Sequence, residues 1–168
     1  MPSEKSAAAL ARDLAEEFAE SGHPMTVLVP SNTITLGVEE EHSGGVTVIR
    51  YKVGKTKDAH HIIRAINEMT LSLVAWLRCR RRLVEHPPDL VIFYSPSIFF
   101  GPLVRWLKRR TGAETYLVLR DIFPDWAVDT GVLKKGLVYR VFKVFERLQY
   151  RAADAIGVEA EASLKYFQ

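Results

Sequence analysis

The hydrophobic positions follow two rhythms that take turns along the chain. From Ser3 to Ser21, Ala7, Leu10, Ala11, Leu14, Ala15 and Phe18 share one helical face. Ser3 as N-cap, Glu4 in the first turn and Gly22 just past the end predict where that helix starts and stops. Met25 to Val29 is a nearly continuous apolar run closed by Pro30, which reads as a buried strand. Ser31 to Gly45 is polar and reads as a loop. Val46 to Val53 alternates and is rich in β-branched residues, so a second strand nearer an edge is expected. His60 to His86 is mostly helical, with Ile62, Ile63, Ile66, Met69, Leu73, Trp76, Leu77 and Leu83 at helical spacing until Pro87-Pro88 stops it.

The second half repeats a strand–helix unit. Asp89 to Tyr94 contains Leu90-Val91-Ile92-Phe93, apolar throughout, as a parallel strand covered on both faces should be. A helix is expected from Ile98 to Arg110, and a fourth strand from Thr115 to Leu119. Gly131 and Gly136 flank a linker. Leu137 to Ala153 reads as a helix with Val138, Val141, Phe142, Phe145, Leu148 and Ala152 along one side. Asp154 to Val158 is a fifth strand, and a last helix begins near Glu159. Alternation of this kind predicts an α/β fold, a parallel sheet with helices on both faces. Such folds normally open with a central strand, whereas this chain opens with a helix. The expectation is a domain lacking its first strand, with a premature stop at Gln168.

The totals change this picture little. With 168 residues the chain suits one domain spanning 1–168. A net charge of +3 does not by itself suggest a nucleic-acid partner, and no aromatic-basic recognition motif is present. Cys79, the single cysteine, cannot form an internal disulfide. His23, His42, His60, His61 and His86 have spacings that suit no metal cluster, so no metal site is expected. Gly44-Gly45 lacks any phosphate-loop surroundings and reads as a turn. No apolar run approaches the roughly 18 residues of a membrane span. The polar, then Ala/Glu-rich start reads as no signal peptide.

Two basic runs, Arg78 to Arg82 and Lys108 to Arg110, close two of the helices. The helix dipole accounts for cations there. The alternative is attraction to an anionic membrane surface, worth about 1 kcal/mol per residue near the headgroups, with Trp76 and Trp106 at the interface.

The chemistry concentrates in Leu117-Val118-Leu119-Arg120-Asp121-Ile122-Phe123-Pro124-Asp125-Trp126. An apolar strand stops at a charged pair and runs into a Pro-aromatic loop. Ligands of open α/β sheets bind outside the carboxyl ends of the strands. Arg120, Asp121, Asp125 and Trp126 are therefore candidate site residues. Taken alone, the same residues equally suit a loop in which Arg120 and Asp121 cap neighbouring elements or pair with each other.

Four segments carry a likeness to a known family. They are Gly22-His23-Pro24-Met25-Thr26-Val27-Leu28, Pro88-Asp89-Leu90-Val91-Ile92-Phe93-Tyr94-Ser95-Pro96, Leu119-Arg120-Asp121-Ile122-Phe123-Pro124-Asp125, and Glu146-Arg147-Leu148-Gln149-Tyr150-Arg151-Ala152-Ala153-Asp154. Together they resemble the N-terminal domain of family 4 glycosyltransferases of the GT-B architecture, over nearly the whole chain. Within that family they are similar to the bacterial surface-polysaccharide branch, which includes fucosaminyl transferases. The resemblance implies a Rossmann-like, acceptor-side domain of a retaining, metal-independent enzyme with no cofactor. Its substrates would be a nucleotide-sugar and a glycan or polyprenyl-linked acceptor. A cytoplasmic location is expected, with a peripheral place on the inner face of the membrane as the alternative that the two basic runs raise.

The resemblance also implies that a C-terminal donor domain, with its pair of spaced glutamates, holds the nucleotide. That domain is not in this sequence, so no turnover is expected from the chain as it stands. Arg120-Asp121 match the branch's Arg-Asp, where many relatives have His-Asp. An arginine is effectively always protonated, which disfavours a general base and favours a fixed cation on phosphate or acceptor oxygens. Ser95-Pro96 match a Ser-Pro that would line the same cleft. Glu159-Ala160 replace the branch's Gln-Ser, so a hydroxyl contact is lost there. A second reading is a stand-alone binding domain, or one half of a split enzyme with a donor-domain partner chain. A Rossmann-type dehydrogenase is disfavoured because its glycine fingerprint is lacking.

Overall fold

The computed structural model describes residues 4–54, 67–95, 97–158 and Tyr166, with side chains from residue 9 onward. Ser3, His60, His61, Ile62, Ile63, Ile66, Pro96, Glu159 and Ala160, the helix expected from Glu159 and the Ala7 side chain lie outside the described residues. The chain forms two compact units, Met1–Lys55 and Thr56–Gln168.

The first unit holds α1 (Glu4–Glu20), β1 (Met25–Ser31), β2 (Val38–Ser43) and β3 (Val46–Lys52). Its sheet runs β1-β3-β2, with β1 parallel and β2 antiparallel to β3. Pro30 lies inside β1 instead of closing it, paired in register with Tyr51. An end strand tolerates the missing N–H. The stretch expected to be a loop, Ser31 to Gly45, contains β2. Glu39-Glu40-Glu41 shows no alternation, so periodicity hides it. The Gly44-Gly45 turn, with φ of 56° and 83°, folds it back onto β3. Arg50 then meets Glu41 at 2.6 Å, and the His42 ring hydrogen-bonds Thr47 Oγ1 at 2.9 Å. Ala15, Ile49 and Tyr51 are buried, while Leu10 and Leu14, assigned to the apolar face of α1, are exposed.

The second unit holds α2 (Leu71–Glu85), β4 (Leu90–Tyr94), a 3-10 turn (Ile98–Phe100), α3 (Gly101–Thr111), β5 (Glu114–Leu119), α4 (Asp125–Asp129), α5 (Leu137–Tyr150) and β6 (Ala155–Val158). Its sheet, β4-β5-β6, is parallel throughout and flanked by helices. Phe93, Val104, Leu117, Leu119 and Ala152 form the core, with Val91, Ile122, Ile156 and Val158 packed against it.

Two helices present different faces from those expected. On α2 the buried positions are Leu71, Ser72, Ala75 and Cys79, leaving Leu73 and Leu77 exposed. On α5, Glu146 and Gln149 are buried while Val138 is exposed. Close backbone approach explains the second case. A Cβ on Gly101 would lie 2.6 Å from Gln149 N and 2.7 Å from its Cα. Only a bare glycine lets α3 come this near, and the approach buries Gln149 whatever its polarity.

Candidate functional site

Parallel pairing brings the carboxyl ends of β4 and β5 to one rim, with Tyr94 opposite Val118. The polar residues that follow each strand therefore meet. Ser95 is fully buried; its N–H donates to Val118 O at 3.0 Å and its hydroxyl donates to Asp121 O at 3.3 Å. Its role in this geometry is to position the Asp121 loop rather than to offer a free hydroxyl. Arg120 is half-buried and donates from Nη1 to Tyr94 Oη at 3.3 Å. Asp121 is exposed at the rim. The structure thus brings Ser95, Arg120 and Asp121 together. Tyr94, an aromatic at a strand end, was not singled out by the sequence, yet it aims the guanidinium.

The loop beyond is fixed by aromatic packing. The Phe123–Pro124 peptide is cis and Pro124 is buried. Phe123 packs against Phe142 (centroids 5.1 Å apart) and against Trp126 (6.2 Å). Phe142 in turn meets Phe99 at 6.1 Å, so the loop is braced on the 3-10 turn that follows β4.

Asp125 faces α5 rather than the rim. Its carboxylate accepts from Tyr139 Oη at 2.7 Å, Lys143 Nζ at 3.0 Å and Tyr166 Oη at 3.0 Å. Lys143 also pairs with Glu146, which is 1% exposed and receives Tyr166 Oη at 3.1 Å. The single Tyr166 proton can serve only one of the two acids at a time. Burial acts to raise the Asp125 carboxyl, but hydrogen bonds from Tyr139, Lys143 and Tyr166 outweigh it and hold it below the usual range. Burial similarly opposes the charge on Lys143, and its bonds to Glu146, Tyr166 and Asp125 reverse that and raise it. Burial above all, with the Asp125 bond, pushes the Tyr166 hydroxyl up to about 12, so it remains a donor. This cluster escaped the sequence reading. Its signal was two polar residues three apart, Lys143 and Glu146, that share a helix face with Tyr139 and Tyr150.

A depressed carboxyl stabilises the fold above its unfolded value of 3.8 and loses that contribution as pH falls through the folded value. Asp125→Asn should therefore cost about 1 kcal/mol near neutrality, and the gap to the parent should close in acid. Urea midpoints for both proteins at neutral and strongly acidic pH check this; a gap that widens in acid refutes it.

The Arg151-Ala152-Ala153-Asp154 segment serves the fold. Ala152 is fully buried and its carbonyl accepts Thr115 Oγ1 at 2.7 Å. Asp154 Oδ2 accepts Thr115 N–H at 3.0 Å, and Lys108 pairs with Oδ1. The Lys108 bond and then the Thr115 bonds lower the Asp154 carboxyl. The motif thus fastens the end of α5 to the start of β5. It also engages one cation of the second basic run. In the first run Arg80 stacks over Trp76, 4.6 Å from the ring centroid, and Trp76 meets Trp106 edge-on at 6.2 Å. No helix of the described residues is long and apolar enough to cross a membrane.

Parallel strands, returning helices and a polar rim at the carboxyl ends make this an α/β domain of the Rossmann-like, GT-B N-terminal type. A family model described as a glycosyl transferase 4-like domain matches residues 7–168, and the chain belongs to that family. No curated protein matches the chain.

Proposed function

We propose that this chain is the acceptor-side domain of a retaining, metal-independent glycosyltransferase that builds bacterial surface polysaccharide on the cytoplasmic face of the membrane. The nucleotide-sugar would be held by a separate donor-binding domain, in the same polypeptide or in a partner chain. One observation carries the acceptor role. A permanent cation, Arg120, is aimed by Tyr94 next to an exposed carboxylate, Asp121, at the carboxyl rim of a parallel sheet.

Each residue has a distinct part in this reading. Arg120 holds an acceptor phosphate or hydroxyl oxygens as a fixed donor fork. Asp121 accepts a hydrogen bond from the acceptor hydroxyl and orients its oxygen. Ser95 keeps the Asp121 backbone in place. Trp126, exposed at the start of α4, offers a face for a sugar ring.

Ligand-observed NMR with a polyprenyl-phosphate-linked glycan, and separately with a nucleotide-sugar, tests this. The acceptor should bind, and Arg120→Ala and Asp121→Ala should each weaken it by about tenfold, as the loss of one charge-assisted hydrogen bond does. Unchanged binding in both variants, or binding of the nucleotide-sugar alone, would sink the assignment.

A further inference from the structure

The turn between α4 and α5 is apolar where a surface turn is ordinarily polar. Val132 is 75% exposed, Leu137 78% and Val138 54%; Trp126, in the helix on which the turn closes, is 44% exposed. Single exposed apolar residues need no explanation, but these sit within one turn. Lys134, Lys135 and Arg140 are exposed among them, and no acid lies between Gly131 and Arg140. Apolar side chains interleaved with cations suit the boundary of an anionic bilayer.

The turn also holds its shape. Gly131 N–H donates to Val128 O at 2.9 Å, Leu133 N–H to Ala127 O at 2.8 Å and Arg140 N–H to Gly136 O at 3.1 Å. Tyr139 and Lys143 tie the following helix to Asp125. Little conformational freedom remains to be lost on docking.

Its position in the topology is decisive. α5 connects β5 to β6, which are parallel, so it must run back against them. Its first residues, Leu137 and Val138, therefore stand at the carboxyl rim that carries Arg120 and Asp121. By the same logic the basic runs end α2 and α3, just before β4 and β5 begin, and so lie at the opposite end of the sheet. The most basic surface is thus far from the rim, while the apolar-cationic turn adjoins it.

We infer that the Val132–Val138 turn docks this domain on an anionic phospholipid bilayer. Val132, Leu137 and Val138 enter the boundary between headgroups and acyl chains, and Lys134 and Lys135 lie on lipid phosphates. The purpose of the contact, presenting the rim to an acceptor carried in the membrane, rests on the acceptor-side reading above; the docking itself does not.

Co-sedimentation of the full chain with phosphatidylethanolamine–phosphatidylglycerol vesicles, against phosphatidylcholine vesicles and with no sugar present, is the test. Binding should require the anionic lipid. Lys134→Gln and Lys135→Gln should each weaken it by about fivefold, and Val132→Ser with Leu137→Ser by about tenfold or more. All four side chains are exposed, so the melting curves should match the parent. Binding of a water-soluble acceptor glycan should also be unchanged, which separates a failure here from a failure of the acceptor assignment. Three results would overturn the inference. One is a parent that ignores anionic vesicles. Another is binding kept in these variants but lost in Arg80→Gln with Arg81→Gln. The third is a dimeric solution mass that falls to monomer in Val132→Ser with Leu137→Ser.

Discussion

Lys143→Met is expected to lower the unfolding free energy by about 3 kcal/mol, the low end of the range for breaking a buried ion pair. The low end applies because the Lys143 side chain is itself 20% exposed. The cost comes mainly from what stays behind. Glu146, with a side chain 2% exposed, loses the ammonium group, leaving the Tyr150 and Tyr166 hydroxyls as its partners among the described residues. Asp125 loses one of three donors, so the loop carrying Phe123 and Trp126 loosens as well. Replacing the pair together, Lys143→Met with Glu146→Leu, should recover most of the loss, since no uncompensated charge is then buried. Urea titration of both variants decides it. A single variant within about 0.5 kcal/mol of the parent would show that the Lys143–Glu146 pair carries little of the fold's stability.

Gly101→Ala should destabilise by about 2–3 kcal/mol, although alanine is the better helix former. The propensity gain is at most about 1 kcal/mol. Against it stands overpacking, typically about 1–3 kcal/mol and more where nothing can yield. Here the obstructing atoms are backbone, Gln149 N, Gln149 Cα and Leu148 C within 2.6–2.8 Å, so no side chain can swing aside. The contrast with Gly157 sharpens the argument. A Cβ there would strike the far end of the Tyr116 side chain, which is exposed, and not backbone. Gly157→Ala should therefore cost clearly less. Thermal unfolding of the two variants side by side makes the comparison, and equal losses would contradict it.

Both predictions concern residues that the hydrophobic pattern could not rank. The apolar side of α5 was legible as a stripe containing Phe142, Phe145 and Leu148, yet the deepest positions on that helix are Glu146 and Gln149. A stripe records transfer free energy averaged along a face. It does not register that a glycine on the neighbouring helix brings two backbones into contact. In α2, similarly, Leu73 and Leu77 continue the helical spacing but face outward, while Ser72 and Ala75 turn inward. Small residues mark where helices approach closely, which periodicity scored on hydrophobicity overlooks. β2 was missed for another reason: its register comes from a two-glycine turn and cross-strand pairs, whereas its own side chains show no rhythm.

The rim was partly legible. A strand that stops at Arg120-Asp121 and enters a Pro-aromatic loop advertises a ligand-facing edge, because the carboxyl ends of parallel strands converge there. Ser95, equally legible as a motif residue, turned out to be buried and committed to the Asp121 backbone. Asp125, read as a wall residue, faces into α5. The Arg-Ala-Ala-Asp segment, one of the four that carry the resemblance, joins α5 to β5.

What the sequence determined alone is what local physics and chain order can carry. These are the alternation of strands and helices, the parallel pairing of the second half, and the rim at which the charges gather, since period, breakers and connection lengths act between near neighbours. The tertiary structure alone decided which polar groups became buried partners, which leucines and valines were left in water, and at which end of the sheet each charged or apolar surface lies. Those outcomes depend on residues distant in sequence, such as Asp125 and Lys143 or Gly101 and Gln149, whose meeting is set by how closely whole elements pack.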